Sequence, residues 1–412
     1  MDKEKLVRWP KLVVGFVTLL FAGIIYAWSI TKTPFMLIDN GVVGNASQLG
    51  LNYTFSIIFF CLGSFGAGLI STQTTARLRL VLSALLVFSS FIISSLQIVT
   101  LPYTQNYFLL YMAYGMLGGL GIGMAYVTII STVNLWYPEK RGFASGIMMM
   151  GFGVSLLIIG SIVDMLGNSE AIGWRNTYVI ISIALGVIFL IAAIVIKPPP
   201  KGLVLPEPKP AADENPDRDV RNFSALEMIK RPSFILIFIY ITILAMSGSA
   251  AISFAKDIVL DVGAAEGFAV MVVGIMGLSN GIGRLASGWL FDKLGIRQTQ
   301  FISSAVAILA PLTIVMAIAA NSLVLGILGL CLCVFSYGFA PTTSSVCVSE
   351  FYGLRNFPVN FSIMSLVLIP ASFASAIAGS IKTTTGGFMP AFIALTVLTA
   401  IGFFISLAIR KP

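Results

Sequence analysis

The stretch Gly277–Arg284, with the sequence GLSNGIGR, places an arginine inside an apolar run from Phe268 to about Phe291. Arg284 lies about 12 Å before the next charged residue, Asp292, at 1.5 Å per helical residue. An arginine at that depth in a bilayer costs at least about 2.5–3.5 kcal/mol. The middle of the other apolar runs offers no carboxylate that could neutralise it. We therefore expect the counter-charge of Arg284 to be an anionic substrate.

The composition of the whole chain indicates an integral membrane protein. Of its 412 residues, 57% are hydrophobic and 10% are charged, and the mean hydropathy is +0.96, whereas soluble domains carry about 25% charged residues. The net charge of +8 does not indicate nucleic acid binding, because the basic residues flank apolar runs, as topogenic charges do. Disulfides and metal sites are not expected, since all four cysteines fall in apolar stretches: Cys61, Cys331, Cys333 and Cys347.

Twelve apolar runs are long enough to cross a bilayer as helices. The first is too long for a signal-peptide core and has no small-residue cleavage site after it. The sequence thus predicts an all-α membrane protein. We number the predicted spans 1 to 12 in chain order: 12–33, 52–72, 80–101, 107–133, 143–163, 175–196, 233–255, 268–291, 300–320, 323–347, 358–381 and 389–409.

The distribution of lysine and arginine predicts the orientation of these spans. With both termini placed inside, twenty of the 25 basic residues fall in inner segments, and Arg284 lies within a span. Basic residues concentrate on the cytoplasmic side of membrane proteins. We therefore expect a plasma (inner) membrane protein with both termini in the cytoplasm. The four basic residues on the other side are Lys32, Arg175, Lys256 and Lys382.

One long, proline-rich and charged loop follows span 6 and divides the chain into two halves of six spans. Near its end, Ser224 and Glu227 have the spacing of a capping box, which predicts a short interfacial helix before Pro232. The predicted domains are an N-terminal bundle (1–196), a cytoplasmic linker (197–232) and a C-terminal bundle (233–412).

The two halves repeat each other's loop sequences. Gly288, Asp292, Gly295 and Arg297 follow span 8 in the pattern G-x-x-x-D-x-x-G-x-R, and the loop after span 2 has a partial copy in which Thr72 replaces the acidic residue. The loops after spans 4 and 10 likewise correspond. Two related six-helix bundles around a site near the membrane midplane are a plan of secondary transporters.

Twelve spans, a long central loop and this loop pattern resemble the major facilitator superfamily. Within it, several stretches look like the oxalate–formate antiporter family and its relatives, the monocarboxylate transporters: Tyr126–Gly146, Tyr26–Ser29, Glu227–Phe234 and Asn280 with Arg284. The resemblance implies two pseudo-symmetric six-helix bundles. It also implies that Asp292 and Arg297 pair across helix ends and hold one conformation. In the first half, which lacks the acidic residue, this contact must be weaker or built otherwise.

The same resemblance implies roles for individual residues. Arg284 matches the family's substrate-binding arginine, and Tyr26 and Tyr126 match tyrosines of the cavity. Tyr337 stands where the antiporters carry a cavity tryptophan. Where the oxalate antiporters have a second cation, a lysine in span 11, this chain has Leu368, and Phe152 replaces a tyrosine in span 5. A single cationic centre suits one carboxylate better than two, which favours a monocarboxylate over oxalate.

The residue types agree with such a site. Asn280 and Arg284, four residues apart, share one helix face, and a guanidinium is a two-pronged donor that fits a carboxylate. Structural alternatives remain: Arg284 could bond helix carbonyls, and Asn280 could pack between helices. Trp28 could roof the cavity or only pack.

Lys32, Lys256 and Asp257 fall near the outer ends of spans 1 and 7. They could snorkel or form a surface pair, they could gate the entrance, or Asp257 could carry a coupled proton. Proton coupling needs a group whose pKa can be moved towards neutrality. Because the chain has no histidine and no mid-span carboxylate, the sequence favours anion exchange.

We therefore expect a secondary transporter of small organic anions, with a monocarboxylate such as lactate or formate favoured, that works by alternating access as an exchanger. A proton-coupled monocarboxylate symporter and an oxalate/dicarboxylate–formate antiporter are the alternatives. An enzyme is not expected, because paired carboxylates, a histidine–glutamate metal set and a serine with a base are all missing from the spans. No metal, cofactor or nucleic acid is expected. The expected partners are the carboxylate, protons in the symporter alternative, and membrane lipid around a monomer.

Overall fold

The structure, a computed structural model, describes residues 3–36, 46–104, 106–200, 203, 205–206, 222–261 and 266–412. The regular secondary structure of these residues is entirely helical. Helices suit a membrane because they satisfy every backbone N–H and C=O within the segment. Among the described residues, eleven helical segments are long and apolar enough to cross a bilayer: Arg8–Ala27, Leu51–Thr72, Ala76–Leu101, Phe108–Asn134, Arg141–Gly167, Gly173–Val195, Pro232–Ala255, Gly274–Ala319, Leu323–Tyr352, Phe357–Lys382 and Met389–Ala408.

One of these segments, Gly274–Ala319, makes two crossings. Its 46 residues would be about 70 Å long as a straight helix, more than twice the thickness of about 30 Å of a bilayer core. The backbone breaks at Gly295, with φ 80° and ψ 179°, a conformation that glycine adopts because it has no Cβ. Spans 8 and 9 therefore meet at Gly295, and the predicted all-α fold with twelve spans is confirmed.

Several spans are not uniform α-helices. Span 1 continues from Lys3–Ala22 through a 3₁₀ segment, Gly23–Ala27, into two single turns. Spans 4 and 5 each contain a π-helical segment, a rare form that is frequent at functional sites. The helices, with the 3₁₀ and π segments included, are Lys3–Ala22, Gly23–Ala27, Trp28–Thr31, Thr33–Met36, Ala46–Leu69, Ile70–Thr72, Ala76–Thr104, Phe108–Leu110, Tyr111–Gly118 (π), Gly119–Asn134, Arg141–Ser155, Leu156–Gly160 (π), Ser161–Gly167, Gly173–Val195, Ala225–Ile229, Pro232–Asp261, Glu266–Ala319, Leu323–Tyr352, Phe357–Met364, Ser365–Val367, Leu368–Thr385 and Met389–Ala408.

By packing, the chain forms two compact units. Unit 1 comprises Met1–Tyr137 and Val154–Leu205, and unit 2 comprises Pro138–Gly153 and Pro206–Pro412. The first part of span 5 thus packs with the C-terminal spans. A hydrophobic core cluster of unit 2 is formed by buried residues of spans 7 to 12, among them Phe388 and Phe392. The domain boundaries at 196 and 232 stay a prediction, since packing does not measure which segments move together.

The predicted helix before span 7 is confirmed. It covers Ala225–Ile229, and Ser224 forms the complete capping box with Glu227, whose carboxylate accepts from the Ser224 N–H at 2.8 Å. The preceding residue, Phe223, donates its N–H to the carbonyl of Tyr352 at 2.9 Å. The entry to span 7 is therefore fastened to the end of span 10. Most of the linker, residues 207–221, lies outside the described residues.

Candidate functional site

Arg284 is buried in unit 2, with 1% of its surface exposed. Its Nε donates to Asn280 Oδ1 at 3.2 Å, and one Nη donates to the carbonyl oxygen of Met149 at 3.1 Å. The guanidinium carbon lies 5.7 Å from the centre of the Phe152 ring, within the range of a cation–π contact. In the part of the chain that the structure describes, no carboxylate comes within 4.0 Å of this guanidinium. The charge is thus held by neutral groups.

Glycines bring spans 5 and 8 together beside Arg284. A Cβ on Gly146 would lie 2.8 Å from the Arg284 carbonyl oxygen, and one on Gly153 would lie 3.0 Å from the Cα of Gly281. At the end of the same seam, Gly142 and Gly288 are in backbone contact. Such small residues let membrane helices approach closely. This approach positions the Met149 carbonyl and the Phe152 ring against the guanidinium.

Span 10 closes the other side of span 8. A Cβ on Gly338 would lie 2.6 Å from the carbonyl oxygen of Asn280, so the two backbones are close there as well. Thr342 Oγ1 donates to the Arg284 carbonyl oxygen at 3.3 Å. Tyr337, predicted for the cavity, is 8% exposed and packs on Gly248 of span 7. The helical segment that carries Arg284 is therefore fixed on two sides.

A residue of the loop pattern after span 8 binds the start of span 5. Asp292 accepts hydrogen bonds from the N–H groups of Gly142 at 3.0 Å and Phe143 at 2.7 Å. A carboxylate at a helix N-terminus satisfies free donors and interacts favourably with the helix dipole. Arg141, the first residue of that helix, pairs with Glu350 at 3.5 Å. The Asp292 contact joins the end of span 8 to the start of span 5, while Arg297 lies beside a separate cavity. That the loop holds one conformation stays a prediction.

The corresponding loop of the first half is built around Arg79. Its Nη1 donates to the carbonyl oxygens of Ser71 and Thr74, both at 3.0 Å, and its Nε donates to Thr128 Oγ1 at 3.3 Å. Arg79 is 5% exposed. Backbone carbonyls and threonine hydroxyls thus hold Arg79 in this loop.

The three predicted site residues of the first half belong to unit 1. Trp28 is buried, its Nε1 donates to the Leu49 carbonyl oxygen at 2.9 Å, and its ring lies 4.5 Å from that of Tyr114. Tyr126 is also buried and lies 5.3 Å from the Phe60 ring. Tyr26 is half-buried in the 3₁₀ segment of span 1. The indole N–H of Trp28 is therefore bonded within unit 1, and a role of its ring in substrate contact stays a prediction.

The charged residues at the predicted outer ends have separate surroundings. Asp257 pairs with Lys382 at 4.0 Å, and both side chains are partly exposed. Lys382 also lies 4.3 Å from the centre of the Phe388 ring. Lys32 is half-buried in the turn between two short helices of span 1. The side chain of Lys256 lies outside the described residues.

Comparison with protein families identifies the architecture. The family model of the Major Facilitator Superfamily matches residues 12–368. The chain belongs to the major facilitator superfamily. The members of this superfamily are transporters, so an enzymatic role is excluded as predicted. The resemblance inferred from the loop pattern and the twelve spans is confirmed.

Curated superfamily members match most of the chain at low identity. An MFS-type transporter of Escherichia coli strain K12, YhjX, is 28% identical over 373 residues, which cover 87% of this chain and 84% of the relative. The oxalate:formate antiporter of Oxalobacter formigenes is 25% identical over 408 residues, with 98% and 90% covered. Monocarboxylate transporter 12 of Rattus norvegicus is 22% identical over 368 residues, with 79% and 69% covered.

Solved structures of the superfamily share the fold. The Escherichia coli fucose:proton symporter FucP matches with a TM-score of 0.71 at 14% identity, covering 98% of this chain and 99% of that one. The proton:xylose symporter XylE matches with a TM-score of 0.73 at 14% identity, covering 99% and 97%. At this identity the likeness shows the major facilitator fold alone.

The residues that sequence reasoning missed are those that hold Arg284. Met149 contributes a backbone oxygen, and its residue type does not show that this oxygen accepts a hydrogen bond from Arg284. Thr342 comes from span 10, 58 residues away. The glycines at 142, 146 and 153 all fall on the span 5 face that meets span 8, so their spacing could have identified this seam.

Proposed function

We propose that this chain is a secondary transporter of small organic anions, with monocarboxylates such as lactate or formate favoured, and that it works by alternating access as an anion exchanger. The observation that carries the proposal is the buried charge of Arg284, which only neutral groups contact among the described residues. A buried charge is strongly unfavourable unless it is paired. A carboxylate substrate supplies the missing charge.

The surroundings of Arg284 fit this role. The hydrogen bond from Nε to Asn280 Oδ1 orients the plane of the guanidinium. The Met149 carbonyl is a neutral acceptor, which an anionic carboxylate oxygen can replace with a stronger, charge-assisted bond. We propose Asn280, Tyr337, Tyr26, Tyr126 and Trp28 as the further substrate contacts.

The relatives support the substrate class. One is named an oxalate:formate antiporter and another monocarboxylate transporter 12. By the resemblance, Leu368 of this chain stands near the place of the second cation of the oxalate antiporters. With one buried cation, a second carboxylate would lie in the site without a counter-charge, so we favour monocarboxylates.

Exchange follows from the same charge. When the site is empty and closed, Arg284 has lost water without gaining an anion, which raises the energy of that state. When the site is loaded, the anion offsets this cost. The protein therefore passes between its two access states faster with a bound anion than without one, and net uptake into empty vesicles is slow. We also propose a plasma membrane location with both termini in the cytoplasm, from the twenty inner basic residues.

Uptake by proteoliposomes tests this proposal. Vesicles with purified protein are either preloaded with formate, lactate or oxalate or left empty, and uptake of each labelled anion is measured. We expect preloading with formate or lactate to raise uptake well above that of empty vesicles, and oxalate to be the poorest substrate. Equal uptake into preloaded and empty vesicles, raised by an inward proton gradient, would favour the symporter instead.

Asp257→Asn separates these two mechanisms further. Because Asp257 forms a partly exposed pair with Lys382 at 4.0 Å, and such pairs contribute about 0–1 kcal/mol, we expect exchange to stay within about twofold of wild type. Exchange and acid-driven uptake are measured in the same vesicle preparation. Loss of acid-driven uptake with anion binding intact would assign proton coupling to Asp257.

A further inference from the structure

A cavity of unit 2 lies apart from Arg284, at the ends of three spans. It has a volume of about 440 Å³. It lies where span 9 begins after Gly295, where span 10 ends and where span 12 ends at Ala408. These are the positions at which the apolar runs give way to charged residues, so the cavity lies at the boundary between membrane and water.

The polar part of this cavity is cationic. Arg297, Arg410 and Lys411 line it together with Gln300 and Ser406, and its described lining contains no aspartate or glutamate. Arg410 also lines an adjoining cavity of about 210 Å³ together with Arg231. Neither Arg297 nor Arg410 comes within 4.0 Å of a carboxylate among the described residues. The site therefore suits an anion.

The remaining wall is apolar and continues along the outside of the spans. Phe301 and Leu407 line the cavity and are 56% and 51% exposed, and Phe404, one turn before Leu407, is 66% exposed. Phe301 lies edge-on to Phe403 at 5.5 Å, so spans 9 and 12 share this surface. A cavity lined by cationic side chains and next to an exposed apolar surface fits an amphiphile with an anionic headgroup.

We propose that this cavity binds the headgroup phosphate of an anionic membrane phospholipid, with an acyl chain lying along Phe301, Phe404 and Leu407. Arginine donors match the oxygens of a phosphate in geometry and charge. A soluble phosphate would contact the same arginines but would make no use of the apolar surface beside them. The membrane supplies both parts of the ligand in one molecule.

The test is native mass spectrometry of the delipidated protein in detergent, titrated with phosphatidylglycerol or with phosphatidylcholine of the same acyl chains. We expect wild type to retain one phosphatidylglycerol in preference to phosphatidylcholine. Arg410→Gln should weaken that binding about fivefold, equivalent to about 1 kcal/mol per basic residue near an anionic lipid. Adding Arg297→Gln should weaken it about fivefold again.

Arg355→Gln is the matched control, since it removes the same charge from the loop after span 10, outside the cavity lining. Arg410 is exposed and follows the last helix, so its replacement should leave folding intact, which elution on size exclusion checks. Equal weakening by Arg355→Gln would overturn the proposal in favour of general surface charge. An Arg410-dependent rise in unfolding temperature with inorganic phosphate as large as that with phosphatidylglycerol would overturn it in favour of a soluble anion.

Discussion

Arg284→Gln is expected to reduce anion exchange at least about 30-fold, because removing one partner of a buried charge pair costs about 2–5 kcal/mol. The glutamine amide can still bond a neutral acceptor such as the Met149 carbonyl, but it carries no charge for a carboxylate. The structure gives a second expectation. Since Arg284 has only neutral partners within the described residues, its replacement should leave the thermal stability of the substrate-free protein unchanged or raised.

Arg284→Lys is the matched control, because it keeps the positive charge and removes the planar guanidinium. A lysine keeps the positive charge but lacks the rigid set of donors, so we expect exchange between that of wild type and that of Arg284→Gln. Exchange rates in proteoliposomes and unfolding temperatures in detergent are measured for all three proteins. Full exchange by a folded Arg284→Gln protein would mean that Arg284 is a structural residue.

Gly146→Val is expected to disrupt unit 2 and to abolish exchange. A Cβ at this position would lie 2.8 Å from the Arg284 carbonyl oxygen and 3.4 Å from the Cα atoms of Leu285 and Gly288. Backbone atoms cannot rotate away, so spans 5 and 8 must separate. Overpacking typically costs about 1–3 kcal/mol, and separation also moves the Met149 carbonyl and the Phe152 ring away from the guanidinium.

Gly66→Val is the matched control, because a Cβ on Gly66 of span 2 would meet nothing within 4 Å. Both changes place valine in a helix at the same intrinsic cost, so their difference isolates the packing of the seam. Unfolding temperature, elution on size exclusion and exchange are compared. Equal stability and exchange in the two variants would show that spans 5 and 8 tolerate a wider separation than the structure has.

The sequence predicted the fold well because a bilayer allows few solutions. A membrane-spanning chain must satisfy its backbone within each segment, so twelve apolar runs indicate twelve helices. The break at Gly295 was also readable, since the glycine lies in the loop pattern between two runs. The π-helical segments in spans 4 and 5 were not predicted, because apolar composition does not distinguish them from α-helix.

The candidate site was predictable only in its charged part. Arg284 and Asn280 were identified because a charge and an amide in an apolar run are costly and share one helix face. The Met149 carbonyl, the other hydrogen-bond acceptor of the guanidinium, escaped prediction, since the sequence does not show which main-chain oxygen faces a side chain. Packing of the first part of span 5 with the C-terminal spans is likewise a tertiary property, visible only in glycines whose close contacts the structure shows.

The most direct test of the central claim is equilibrium binding of labelled formate and lactate to purified wild-type protein and to Arg284→Gln, with Arg355→Gln as a control for net charge. We expect saturable binding to wild type and to Arg355→Gln, and binding to Arg284→Gln that is at least about 30-fold weaker. Equal binding to folded Arg284→Gln would contradict the central claim, because the charge of Arg284 would then not be matched by the substrate.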